Sequence, residues 1–246
     1  MRHVVETMGT VASIELPASA AGVLPAIERD FERIEQRFSR YRDDSEVSLV
    51  ALDLLDASPE LLATYARALD WRSATNGLFT PHRPDGALDL DGIVKAEAIE
   101  AAGGLLDAAG CQHWSINVGG DILVRTADEP WITGIADPAD RSALLCSIPL
   151  SARRRAIATS GSTERGDHIW LGGRLRPADF VQVSVVADDI VTADVLATAI
   201  VAGGPDALVD LTDRFDIDVL TVDRAGSLSA TPGFRRALEG SLHAAR

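Results

Sequence analysis

Residues 114–150 read WSINVGGDILVRTADEPWITGIADPADRSALLCSIPL, and this stretch decides how the rest of the chain is read. Four runs rich in strand-forming residues, 114–118, 121–125, 131–136 and 144–150, are separated by Gly, Asp and Pro, the spacing of an antiparallel meander. Gly119-Gly120 interrupts an otherwise strand-like run, which marks a bulge or a close approach of the backbone to something. No Gly-x-Gly-x-x-Gly leads from a strand into a helix, so a dinucleotide-binding Rossmann unit is excluded. A Walker A loop, a Gly-x-Ser-x-Gly elbow and a His-Glu-x-x-His helix are absent as well.

Upstream, residues 4–16 read as a strand or as a hairpin around Met8-Gly9-Thr10, closed by Pro17. Ile27, Phe31, Ile34 and Phe38 recur at helical spacing from Leu24 onward, and the polar run SRYRDDSEVS at 39–48 reads as a loop. Pro59 opens a second helix that Asn76-Gly77 stops, and a third runs from about Ile93 to Ala109 despite Gly103-Gly104. Downstream, 181–187 is a strand, 192–202 and 206–215 are helices, and 217–222 with 228–230 form a terminal hairpin. Together these give one α+β domain over residues 1–246, with a mixed or antiparallel sheet and flanking helices.

The chain has 246 residues, 23 Lys plus Arg against 37 Asp plus Glu, and a formal charge of −14. Such a surface repels nucleic acid and anionic lipid, although backbone N–H groups, local cations or a divalent metal still permit a phosphorylated small molecule. Cys111 and Cys146 suggest neither a disulfide framework nor zinc and read as two buried thiols. The N-terminus lacks a signal-peptide pattern and no run approaches ~18 apolar residues, so the expected setting is the cytoplasm with no membrane span.

Three segments carry chemistry. In TADVLATAIVAGG (192–204) Asp194 and Thr198 stand four residues apart on one helix face, where a carboxylate and a hydroxyl suit a hard cation such as Mg²⁺. The same residues also suit a plain helix, because Asp is favoured near an N-terminus and a buried Thr bonds back to a carbonyl. In ALDLDGIVKAEAIEAA (87–102) Lys95 sits at a helix start fit for an anion, or is a solvated lysine on an ordinary turn. In AIATSGSTERGDHIW (156–170) an apolar strand ends in Thr159-Ser160-Gly161 and leads to His168, either a general base or a structural histidine beside Ile and Trp.

Taken in order, ETMGT (6–10), FSRYRDDSEVSLV (38–50), TNGLF (75–79), LDLDGIVK (88–95), NVGGDI (117–122), ATSGSTERGDHI (158–169) and TADVLATA (192–199) resemble the ApbE family of FAD:protein FMN transferases over nearly the whole chain. The resemblance implies Mg²⁺-dependent transfer of FMN from FAD to a threonine of an acceptor protein, with AMP released. It implies metal ligands at Asp194 and Thr198, helped by the backbone of Ala197 and Gly92. It places FAD contacts at Met8, Tyr41, Gly77, Leu78, Phe79, Asp89, Lys95 and Ile169, and the base for the acceptor threonine at His168. The chain departs from the family pattern after Ile169, where Trp170-Leu171-Gly172-Gly173 replaces Asp-Pro-x-Thr-Gly, at Ala96-Glu97 after Lys95, and at Thr80. The alternative is a protein that binds FAD, or splits it into FMN and AMP, without a protein acceptor.

Overall fold

The computed structural model describes residues 1–127, 129–161, 170–171, 174–175 and 178–244. The hairpin around Met8-Gly9 forms: β1 (Arg2–Thr7) and β2 (Thr10–Glu15) pair antiparallel across a turn in which Met8 and Gly9 both take positive φ, matching the twist of the flanking strands. It is one edge of an eight-stranded sheet that continues through β3 (Trp114–Val118), β4 (Asp121–Arg125), β7 (Ala156–Gly161), β10 (Phe180–Ala187), β11 (Asp218–Asp223) and β12 (Leu228–Ala230), in that spatial order. Every pairing among the described strands is antiparallel, including the short separate pair β8 (Trp170–Leu171) and β9 (Arg174–Leu175), so of the mixed and antiparallel alternatives the second is realised.

The expected meander over 114–150 holds only for its first half. β3 and β4 pair in register from Trp114↔Arg125 to Val118↔Asp121, but β4 then takes β7 as its next neighbour. β5 (Trp131–Ala136) and β6 (Leu144–Leu150) leave as a separate ribbon. The physical reason lies in which side chains need cover. Ile122, Val124, Ile157, Val186 and Leu220 point to one sheet face, and the ribbon seals them with Ile135, Ile148 and Leu150. A C-terminal helix, α6 (Pro232–Ala244), completes that cover with Phe234, which is fully buried; no sequence signal above anticipated it.

The opposite sheet face carries the helices. α1 (Leu24–Phe38) buries Leu24, Ile27, Phe31, Ile34 and Phe38, the stripe read from its spacing, and full burial of a side chain such as Phe31 contributes about 1.5–3 kcal/mol. α3 (Pro59–Ala74) starts with Pro59 after Ser58, whose hydroxyl accepts from the N–H of Leu61. Within 39–48, Glu46 and the residues after it are helical rather than loop: α2 (Glu46–Ala51) is capped by Ser45, and Glu46 is held by Arg37 and the N–H of Ser58, tertiary contacts that local composition does not reveal. α4 (Asp91–Ala108) tolerates Gly103 because the ring of Trp114 lies where a Cβ would stand, with Trp114 Cη2 2.7 Å from that position.

α5 (Ile190–Arg214) packs against β7, β10 and α4 and is the central helix of this layer. It has the length and hydropathy of a membrane span, but Ala193, Val195, Leu196, Ala197, Ala199 and Ile200 are all buried within the protein core. The two helices expected over 192–202 and 206–215 are its two halves, joined by a kink at Gly204-Pro205. Gly204 has φ 67° and ψ −152°, a region reserved in practice for glycine, and an added Cβ would lie 2.5 Å from Asp179 Oδ2. Gly204→Ala is therefore expected to destabilise the protein by about 1–3 kcal/mol, read as a lower urea midpoint; an unchanged midpoint would mean that the kink relaxes at no cost.

Candidate functional site

The antiparallel order brings one end of several strands together. The turn after β1, the Gly119-Gly120 turn between β3 and β4, and the end of β7 lie along one sheet rim, where the N–H of Gly119 donates to Val11 O at 3.2 Å. Asp121 is the first residue of β4 and has no exposed side-chain surface. Its Oδ2 lies 2.5 Å from Lys95 Nζ on α4, and its Oδ1 accepts from the backbone N–H of Thr159 on β7 at 3.0 Å. The Thr159 hydroxyl bonds to Ser184 at 2.8 Å, and the next residue, Ser160, shares a 3.1 Å hydrogen bond with the hydroxyl of Thr198 on α5. Asp194, one turn before Thr198, is 1% exposed.

Lys95 and Thr198 are thus linked through Asp121, Thr159 and Ser160, and Asp194 lies one turn before Thr198 on the same helix. The buried Asp194 carboxylate and the Thr198 hydroxyl, one turn apart on α5, are oxygen donors of the kind a hard divalent cation takes. No group of three or more His, Cys, Asp or Glu side chains that would hold a metal occurs among the described residues, so any cation here would rely on hydroxyl and backbone oxygens beside Asp194. Ala197 is fully buried in the same helix turn, and Gly92 lies in the first turn of α4.

The helix start expected to cradle an anion is built differently. α4 begins at Asp91, so Lys95 stands a full turn inside it. The N–H of Asp91 already donates to Asp89 Oδ1 at 3.1 Å. Arg40 closes over both acids, with Nε 2.8 Å from Asp91 Oδ2 and 3.8 Å from Asp89 Oδ2. Burial disfavours the charge of Arg40, but the hydrogen bond to Asp91 and the charges of Asp89 and Asp91 hold its pKa above the usual guanidinium range. Its guanidinium also lies 4.6 Å from the ring centroid of Tyr41, which is 77% exposed.

The TNGLF segment also meets α5, near Gly203. Gly77 takes positive φ after α3 and its N–H donates to Arg72 O at 2.7 Å. The side chain of Leu78 reaches Gly203, whose missing Cβ leaves room for it. Phe79 is buried, and its N–H donates to the Thr75 hydroxyl at 3.1 Å. Met8 is tied to α1, its N–H donating to Glu35 Oε2 at 3.0 Å. Two of the sequence departures have structural partners: Glu97 pairs with Arg67 at 2.5 Å, and Thr80 accepts from the N–H of His82 at 3.3 Å. His168 and Ile169 lie outside the described residues.

Asp121, Ser160 and Arg40 therefore join the site without having been singled out individually. The signal for Asp121 was a lone acid opening the apolar run DILV directly after Gly119-Gly120; for Ser160 it was the Thr-Ser-Gly end of β7. Arg40 had none, because its partners are about fifty residues away in sequence.

A model of the ApbE family matches residues 8–83 and 81–221. No curated protein matches the sequence. Among solved structures, the flavin transferase ApbE from Vibrio cholerae has a TM-score of 0.78 at 20% identity, covering 97% of this chain and 99% of that one. An ApbE protein from Thermotoga maritima gives 0.79 at 19% identity, with the same coverage. The apo flavinyl transferase ApbE from Pseudomonas stutzeri gives 0.78 at 17% identity, covering 97% of each chain. At these identities the structural likeness is one of fold.

Proposed function

The chain belongs to the ApbE family, and from that premise we propose that it is a Mg²⁺-dependent transferase that moves the FMN half of FAD onto a threonine hydroxyl of an acceptor protein, releasing AMP. The observation that carries this reading is the linked group at the sheet rim, in which Thr198 on α5 and Lys95 on α4 are joined through Asp121, Thr159 and Ser160, with the buried Asp194 one turn before Thr198. The spread of family segments from Met8 to Thr198 over that same frame supports it.

Splitting a pyrophosphate needs charge stabilisation where negative charge grows, and a bound Mg²⁺ supplies it at the phosphate oxygens. Asp194 and Thr198 would hold that ion, with Ala197 and Gly92 contributing backbone oxygen. Ser160 sets the direction of the Thr198 hydroxyl through their shared hydrogen bond. Lys95 would donate to a phosphate oxygen from the position Asp121 gives it. Tyr41, with Arg40 against its ring, offers a surface for a planar ring of FAD. His168 is the proposed acceptor of the threonine proton, and AMP departs with the phosphate bond that breaks.

Mass spectrometry of a threonine-bearing acceptor incubated with the protein, FAD and Mg²⁺ tests the reading directly, the expected result being an added FMN. Binding gives a second test. If the site takes both halves of FAD, titration followed by flavin fluorescence should give tighter binding of FAD than of FMN. Equal affinities, or no flavin binding, would remove the basis of the proposal. Release of AMP and free FMN with every acceptor offered would instead favour hydrolysis, for which the altered segment after Ile169 is the sequence feature to suspect.

A further inference from the structure

Asp121 is a buried carboxylate in which each oxygen has its own task. Taking a carboxylate fully out of water is costly, and only well-placed partners offset that cost. Here Oδ2 is 2.5 Å from the Lys95 ammonium on α4, and Oδ1 accepts from Thr159 N–H on β7 at 3.0 Å. Both partners lie one step from groups of the proposed site: Lys95 itself, and Ser160, whose hydroxyl bonds to Thr198 on α5. An ammonium has three donors. The close ion pair holds the ammonium in place, and the Lys95 side chain is still 18% exposed.

We infer that Asp121 is a positioning residue for FMN transfer, acting through Lys95: it fixes the ammonium on α4 at a set distance from the Ser160–Thr198 pair. The inference rests on the transferase reading. Because Asp121 neutralises Lys95 within the protein, the lysine serves as a placed donor more than as surplus positive charge. The charge that draws and stabilises the pyrophosphate must then come chiefly from elsewhere in the site. Loss of Asp121 should therefore misdirect the lysine without weakening the hold on FAD.

Asp121→Asn separates the two tasks. The amide oxygen still accepts from Thr159, while the amide nitrogen faces the ammonium donor to donor, so the Lys95 link alone is broken. The expected result is a kcat for AMP release from FAD lower by about 10- to 100-fold, the usual effect of losing a group that orients a site residue, with the Kd for FAD little changed. A purely structural role would lower the melting temperature and leave kcat per folded molecule alone. The double variant K95M/D121N, which removes both charges together, guards against misfolding. If Asp121 acts through the lysine, this variant turns over as fast as Lys95→Met, because nothing remains to be positioned. Multiplying losses, or a wild-type kcat in Asp121→Asn, would overturn the inference alone. A wild type that neither binds FAD nor releases AMP would overturn the transferase reading, and the inference with it.

Discussion

Asp194→Asn should abolish Mg²⁺-dependent release of AMP from FAD, a loss of at least about 10²-fold of the kind expected when charge stabilisation of a phosphoryl transfer is removed. Asp194 is 1% exposed on α5, a helix otherwise lined by buried Ala, Val, Leu and Ile. Asparagine has nearly the same size, so packing is kept while the one carboxylate of the proposed ligand set is lost. The wild type should gain stability with added Mg²⁺, by about 2.7 kcal/mol at 100 times its Kd, and the variant should not. Melting curves with and without Mg²⁺, beside AMP release at limiting metal, check both halves. Undiminished release at limiting Mg²⁺ would place the metal elsewhere.

Much of this frame was legible because local periodicity and tertiary burial agree. The stripe Ile27, Phe31, Ile34, Phe38 lies on the buried face of α1, and Asp194 and Thr198, read four apart on a helix, are on α5 with Thr198 turned toward β7. The four strand runs of residues 114–150 form at the expected residues, yet their partners did not follow from spacing. Whether β4 pairs with β5 or with β7 depends on which face Ile122, Val124 and Ile157 must cover, a choice made across the fold. The same holds at the site. Lys95 was visible as a cation near a glycine, but the acid that fixes it opens a strand on the far side of a helix and two turns. The helix start beside it, which looked ready for an anion, is instead occupied by Asp89 and Asp91 under Arg40.

Proton transfer to the acceptor is the step for which sequence carries the argument. If His168 takes the threonine proton, His168→Ala should slow FMN transfer by about 10²–10⁴-fold, the usual reach of general acid–base catalysis, while the affinity for FAD changes little. A base works only when neutral. Wild-type transfer should therefore rise with pH as the histidine loses its proton, and the rise should be absent in the variant. A neighbouring feature sharpens the test. The segment ATSGSTERGDHI begins on β7, where Ser160 holds the Thr198 hydroxyl, and runs to His168, so one stretch of chain joins the proposed metal face to the proposed base. If the wild type yields only AMP and free FMN whatever acceptor is offered, water has taken the place of threonine, and Trp170-Leu171-Gly172-Gly173 becomes the segment to change. Replacing it with Asp-Pro-x-Thr-Gly should then shift product from free FMN to acceptor-bound FMN. Fast transfer in both wild type and His168→Ala would remove this histidine from the mechanism while leaving the metal face on α5 to stand on its own test.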